Sequence, residues 1–356
     1  MGQVKARGLV PSTPFLESAG ARGLVPWPSL SAAEASHEAD IAVGVLTPSQ
    51  TPADRQPHTT DGSAYLSISI GVIIPAYGRA VELDAALASV LTQTRLPDRI
   101  VVVDDGSEPP LSLAHLGASA DRVTLLRLAE NCGAAAARQA ALDLLDTSHI
   151  AFLDSDDTWC AEKLERQQRY LDETGADETV AVACGWHWIG TEGRVVRSLL
   201  PRASTELADF CSGCWFCPGS TVLMSRAALQ RVGGFDVRLR RLEDLDLFLR
   251  FALEGGRLAV APFVGASIRR GRNAARATVD AAAGLLREKF RAPLSARGDA
   301  GLMRRLDAWL AVEEAAAAFN EGHRLRGAER MLRSLALAPR TRLHLGDWWR
   351  DAGEDR

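Results

Sequence analysis

One run combines residue types and spacing that could do chemistry: Ile150-Ala151-Phe152-Leu153-Asp154-Ser155-Asp156-Asp157-Thr158-Trp159. An apolar stretch ends there in three carboxylates within four residues. The pattern predicts a buried strand that surfaces at its C-terminal end. Three crowded acids repel one another unless a cation lies among them, and hard carboxylate oxygens suit Mn²⁺ or Mg²⁺. The plainer alternative is that one acid caps a helix starting near Cys160 while the others face water. A second acidic pair, Asp104-Asp105, also ends an apolar run, Arg99 to Val103. A third group, Glu243-Asp244 with Asp246, opens a segment with Leu245, Phe248, Leu249 and Ala252 on one side of a helix. A helix start favours carboxylates for its dipole alone, so that group has a purely structural reading as well.

The elements around these acids must place them together. Strand-like runs at Ile68 to Ile74, Arg99 to Val103, Val123 to Leu128 and Ile150 to Leu153 alternate with helical patterns over Ala80 to Gln93 and Gly133 to Leu145. That alternation predicts an α/β fold with a parallel sheet and right-handed crossovers. Ligands of such sheets sit beyond the carboxyl ends of the strands. Pro75-Ala76-Tyr77, Asp104-Asp105 and Asp154-Ser155-Asp156 all fall at those ends. The second half is mixed, with strands over Val180 to Cys184 and Ser220 to Met224, a Gly233-Gly234-Phe235-Asp236 turn and a helix over Leu242 to Leu253. From Ala274 onward, Ala, Leu, Arg and Glu with few turn signals predict packed helices, ending in an amphipathic pair around Ala311 to Leu337.

Residues 1–66 are rich in Pro, Ser, Thr, Ala and Gly without apolar periodicity, and read as a disordered leader. Within it Ala6-Arg7-Gly8-Leu9-Val10-Pro11 recurs as Ala21-Arg22-Gly23-Leu24-Val25-Pro26, too short a unit for a solenoid. At 356 residues the chain has room for one large domain or two ordinary ones. A net charge of -4 excludes a bulk basic field for nucleic acid. No apolar run reaches the roughly 18 residues of a membrane span, so a lipid-linked partner would be met at the membrane surface. Six cysteines in a chain of this length, without the order of an export signal, point to reduced thiols and a cytoplasmic location.

In sequence order, these motifs resemble the inverting family 2 glycosyltransferases with the GT-A fold, over about Ser67 to Asn273. Val72-Ile73-Ile74-Pro75-Ala76-Tyr77 is similar to the family's opening strand, and Val103-Asp104-Asp105-Gly106-Ser107 to its acidic uridine turn. Asn131-Cys132-Gly133-Ala134-Ala135-Ala136-Ala137-Arg138 resembles its Asn-x-Gly-x-x-x-Ala-Arg stretch, and Asp154-Ser155-Asp156 its Asp-x-Asp. Gly233-Gly234-Phe235-Asp236 and Glu243-Asp244-Leu245-Asp246 resemble its acceptor-side turn and Glu-Asp motif. Gly78, Gln139 and Ala161 stand where the family usually has Asn, Asn and Pro.

The resemblance implies a GT-A type Rossmann-like mixed sheet flanked by helices: a nucleotide-binding half over 67–160, an acceptor half over 161–273 and a C-terminal helical region over 274–356. It implies a nucleotide-sugar donor, a UDP-sugar foremost. Pro75, Tyr77, Asp104, Asp105, Arg138, Asp154 and Arg270 would bind that donor, with Asp105 accepting from the base and Asp104 supporting the turn. Asp154 and Asp156 would hold the metal, and Asp244 would be the general base, with Asp246 behind it. Arg269 is the alternative to Arg270, and Arg272 completes that basic cluster. The acceptor stays open among polysaccharide, lipid carrier, metabolite and peptide. A sugar nucleotidylyltransferase would want a Gly-rich phosphate grip that Pro75-Ala76-Tyr77-Gly78-Arg79 lacks. A non-catalytic nucleotide-sugar-binding scaffold is the third reading. Cys211, Cys214 and Cys217, with Cys184 and His187, could hold zinc or could be buried thiols. Trp186, Trp188, Trp215 and Phe216 could line a sugar pocket, with core packing as the alternative.

Overall fold

The chain is represented by a computed structural model that describes residues 44–46, 68–114, 122–190, 192–214, 219–269, 274–338 and 349–351, the first and last of these by backbone only. Of the leader, Gly44–Leu46 form a strand, β1, antiparallel to the strand Val123–Arg127, which corrects the expectation of disorder for those three residues. The rest of 1–66 lies outside the described residues.

The first half is the expected alternation. β2 (Ile70–Ala76) is buried throughout except for half-buried Pro75. Helix α1 (Ala80–Leu91) buries Leu83, Ala86, Leu87 and Val90, one stripe at helical spacing. β3 (Arg99–Asp104) and β4 (Val123–Arg127) follow, then α2 (Ala134–Leu144) and β5 (His149–Phe152). β4, β3, β2 and β5 lie side by side in that order, all parallel. The chain therefore goes one way from β2 to β3 and the other way from β2 to β5. The crevice between β2 and β5 is the topological switch point where ligands of open sheets bind.

The second half turns the sheet mixed. β6 (Thr158–Trp159) and α3 (Lys163–Thr174) lead into β7 (Val180–Ile189), which runs five residues beyond the predicted strand end at Cys184. β8 (Val195–Pro201) and the short helix α4 (Leu207–Phe210) follow. A single 3-10 turn, Gly219–Thr221, precedes β9 (Leu223–Ser225) and α5 (Arg226–Arg231). α6 (Glu243–Leu253) and β10 (Arg257–Arg269) complete this half. β9 is antiparallel to β5, β7 is antiparallel to β9, and β10 is parallel to β7. β7 changes partner along its length, pairing with β9 at Ala181 and Val182 and with β8 from Trp186 onward. Trp186 is buried and Trp188 packs against the core, so these two have the packing fate. Trp215 and Phe216 lie outside the described residues.

The C-terminal region is three helices, α7 (Arg276–Ser295), α8 (Ala300–Asn320) and α9 (Arg324–Leu337). A short strand, β11 (Trp349–Asp351), then pairs with β8, so the region is not purely helical as expected. The expected boundary at 273/274 falls between β10 and α7, yet the helices are fastened to the sheet. A Cβ on Gly213 (φ 120°) would stand 2.5 Å from the Trp309 ring of α8, so only glycine lets these segments meet. Among the described residues no helix is long and apolar enough to cross a membrane.

Candidate functional site

The nucleotide-side turn is built by its own acids. Asp104 is fully buried and accepts from the amides of Ser107 (2.9 Å) and Leu111 (3.1 Å) and from the Arg127 guanidinium. Burial raises its pKa, but the bonds from Ser107, Leu111 and Arg127 outweigh burial and hold it below the usual value. Asp105 is also buried. Its two oxygens accept from the amides of Cys132 (2.6 Å) and Gly133 (2.8 Å), at the entry to α2. Burial dominates there and pushes its pKa up. Gly106 (φ 73°) is required between them and Ser107, since a Cβ would stand 2.5 Å from the Glu130 carbonyl carbon. The Ser107 hydroxyl accepts from the Gly78 amide (2.9 Å), which ties the end of β2 to this turn. Tyr77, at that end, is 55% exposed and presents an open aromatic face.

The acidic end of β5 lies beside it, with the Leu153 amide donating to the Ile73 carbonyl (3.0 Å). The three acids separate into three roles. Asp154 Oδ1 accepts from Arg138 Nη2 (2.7 Å) and Asp156 pairs with Arg79, the residue before α1. Asp157 is 2% exposed; it accepts from the Ser220 hydroxyl (2.7 Å) and the Arg269 amide (3.0 Å). Ser220 Oγ in turn accepts from the Asp154 amide (3.0 Å). Asp157 thus pins the end of β5, the 219–221 turn and the last residue of β10 together, a clamp that the triplet alone did not reveal. Burial, then repulsion by Asp154, raises Asp157 well above its ordinary value. Burial also raises Asp156, partly reversed by Arg79 and reinforced by Asp154.

The acceptor side meets these acids at Arg138. This guanidinium is 3% exposed as a residue and reaches Asp154, Glu243 Oε1 (2.9 Å) and Asp244 Oδ1 (3.7 Å). One buried cation therefore stands among three carboxylates from two distant motifs, and its Nε has no protein hydrogen-bond partner. Asp244 is the second residue of α6, whose capping residue Leu242 holds a left-handed φ of 63°, a costly conformation for a side chain of this size. Burial pushes Asp244 up; Arg138 opposes that, Glu243 and Asp154 add to it, and the result is about 6. A Cβ on Gly219 would lie 3.8 Å from both Arg138 Nη2 and Asp244 Oδ2, so this glycine borders Asp244. Its signal, Pro218-Gly219-Ser220, went unread in the sequence.

Around Asp244, the predicted turn and helix are cross-linked. Gln139 Oε1 accepts from the Phe235 amide (2.7 Å), and the Phe235 ring stands edge-on to Phe152 with centroids 5.6 Å apart. Lys289 of α7 donates to Asp236 (2.8 Å) and pairs with Asp246 (2.6 Å), which is fully buried and also bound by Arg250. Burial raises Asp236, but Arg238 and Lys289 reverse this and hold it well below the usual carboxylate range. Arg270 and Arg272 lie outside the described residues; Arg269 is the exposed end of β10.

Asp154 and Asp156 supply oxygen donors alone, and burial, with repulsion by Asp154 added to it, raises the pKa of Asp156, so the pair fits a hard divalent ion. Among the described residues no three His, Cys, Asp or Glu side chains converge as a cage. The same holds for the cysteines. Cys217 lies outside the described residues, and burial pushes Cys184 to about 11 and Cys211 to about 12, the reverse of a ligating thiolate. A cleft of about 450 Å³ at the opposite ends of β7 and β10, by Tyr170, Arg202 and Arg257, contains none of these site residues.

Residues 71–233 match the family described as Glycosyl transferase family 2. Over 98 residues the chain is 40% identical to the UDP-Glc:alpha-D-GlcNAc-diphosphoundecaprenol beta-1,3-glucosyltransferase of Escherichia coli, covering 28% of this chain and 39% of that one. Over 106 residues it is 35% identical to a putative teichuronic acid biosynthesis glycosyltransferase of Bacillus subtilis, covering 29% and 42%. The chain thus spans about two fifths of the length of either relative. Its fold is similar to that of S. aureus TarS 1-349 solved with UDP, at TM-score 0.50 and 18% identity, covering 77% of this chain and 91% of that one. Its acidic turns lie at the strand ends of a GT-A type sheet, and residues 71–233, a little under half of the chain, match glycosyltransferase family 2.

Proposed function

We propose that this chain transfers a sugar from a nucleoside-diphosphate sugar, a UDP-sugar, to an acceptor hydroxyl with inversion at the anomeric carbon. One observation carries the reading: Arg138 joins Asp154 (2.7 Å) to Glu243 (2.9 Å) and Asp244 (3.7 Å), so a donor-side acid and a candidate base share one cation. The Escherichia coli relative is named for UDP-Glc and the TarS neighbour was solved with UDP, which supports the choice of donor.

In this reading Tyr77 stacks on the base, Asp105 accepts from it through its remaining lone pairs, and Pro75 and Asp104 shape the turn. Arg270 or Arg269 contacts the diphosphate. Asp156, with Asp154, would hold Mn²⁺ or Mg²⁺, which supplies charge neutralisation and Lewis acidity at the leaving diphosphate. Asp244 takes the acceptor proton as the acceptor oxygen bonds to C1; the bond from C1 to the diphosphate oxygen breaks, and its electron pair leaves with UDP. A carboxyl at about 6 is ionised near neutral pH yet basic enough to accept. Arg138 keeps Asp244 aimed. For the acceptor, the names of the two curated relatives favour a saccharide of a surface polymer or its lipid-diphosphate carrier.

The test is a thermal-shift titration with UDP, GDP, dTDP and CDP, each with and without Mn²⁺, beside Asp156→Ala. Saturation at a hundredfold excess over Kd adds about 2.7 kcal/mol. A Mn²⁺-dependent shift with UDP that the variant loses is the expected result. No shift with any nucleotide overturns the donor site.

A further inference from the structure

Two amphipathic helices of this chain treat water in opposite ways. α3 buries Leu164, Gln167 and Leu171 and exposes Arg166, Arg169 and Glu173, as a surface helix should. α9 closes on α8 through small residues instead: Gly327 and Ser334 are buried, and a Cβ on Gly327 would stand 2.6 Å from the Phe319 ring. Its outward side is apolar. Leu325 is 90%, Leu332 67% and Leu335 42% exposed, and Ala328 and Ala336 are exposed with them. The spacing 325, 328, 332, 335 places them on a single face.

The charge of α9 says what would cover that face. It has four arginines against one glutamate, in a chain of net charge -4. Arg326 is engaged by Asp280 (2.8 Å) and Arg330 by Glu314 (3.6 Å), so these two fasten the helix to its neighbours. Arg324 and Arg333 are exposed, form no ion pair among the described residues, and flank the leucine stripe on opposite sides. An apolar stripe between unengaged cations complements a surface that is apolar below and anionic above. We propose that α9 lies in the interface of an anionic lipid bilayer, with Leu325, Leu332 and Leu335 at the acyl boundary and Arg324 and Arg333 at lipid phosphates. The proposal stands on the helix alone and needs no transfer activity.

The experiment is vesicle co-sedimentation of the full chain, with phosphatidylglycerol-containing and pure phosphatidylcholine vesicles. It is run beside Leu332→Glu/Leu335→Glu and Arg324→Gln/Arg333→Gln, with the mass of each protein read by light scattering. These side chains are exposed, so the fold and the UDP-dependent thermal shift should persist in both variants. Expected are binding to the anionic vesicles, a loss of about tenfold or more in each variant, and weak binding to neutral vesicles. Three results overturn the proposal. The first is a wild-type chain that ignores both vesicles. A dimer that the leucine variant dissolves, without vesicle binding, would assign the face to a second copy. Binding that emerges only after removal of 339–356 would assign it to the chain's own C-terminal segment. A failed UDP shift with intact vesicle binding would instead count against the donor reading alone.

Discussion

The two acidic edges of this molecule are held by different means. On the nucleotide side, Asp104 and Asp105 are satisfied chiefly by backbone amides of Ser107, Leu111, Cys132 and Gly133, all within the consecutive stretch from the end of β3 through β4 to the entry of α2. On the acceptor side, Asp236, Glu243, Asp244 and Asp246 depend on cations brought from elsewhere: Arg138 of α2, Lys289 of α7 and Arg250 one turn on. The first edge is a local device that a short stretch of chain can specify. The second exists only after helices from three parts of the sequence have packed.

The largest effect should fall on the acceptor edge. Asp244→Asn keeps the shape and removes the base, so transfer should drop by about 10²–10⁴ while the UDP shift persists. Transfer at the wild-type rate would remove Asp244 from the role. Next is Lys289→Met, which takes a cation from Asp236 and from buried Asp246 while Arg238 and Arg250 remain. A loss of about 2 kcal/mol in urea unfolding is expected. Because Asp236 titrates below its usual range, the Lys289 contribution is present above the unfolded pKa of about 3.9 and disappears as pH falls through the lower folded value. The gap between variant and wild type should therefore close in acid.

A smaller effect is the pH dependence of transfer. With Asp244 at about 6, turnover should climb with pH to a plateau above that value and stand about tenfold below the plateau at pH 5. A flat profile between pH 5 and 8 would detach the rate from this carboxyl. Smallest is Arg127→Gln on the nucleotide edge. Asp104 keeps its two amide bonds there, so about 1 kcal/mol is expected, clearly less than for Lys289→Met. Equal losses in the two variants would erase the contrast between the edges.

The same contrast decides what could be read from the sequence. β2, β3 and β5 announce themselves as apolar runs ending in turn or acidic residues, and their motifs fall at adjacent strand ends as expected. Arg138 was singled out, yet not its hold on Glu243, 105 residues away, because no local pattern encodes that pairing. In the sequence Asp157 is only the third acid of a triplet; its burial beneath Ser220 and the Arg269 amide follows from strands that meet only in the fold. β10 reads in the sequence only as a strand-like run ahead of the arginine cluster at 269–272, while its register shifts around Val264, beside Pro262, follow from pairing in the fold. The β7 extension was hidden in the same way, because its second half finds a new partner in β8.

Lys289 has a consequence for recombination. The family match ends at Gly233, before Asp236, Asp244 and Asp246, and motif logic would cut the chain near 273. A chimera cut at 273 to swap acceptor specificity would leave Asp236 and Asp246 in one parent and their shared ammonium in the other, whereas a cut at 233 keeps all three together. The inheritable module is therefore longer than its motifs. α7 must travel with the acceptor half, and a hybrid that keeps Lys289 with its two carboxylates should fold where one cut at 273 does not.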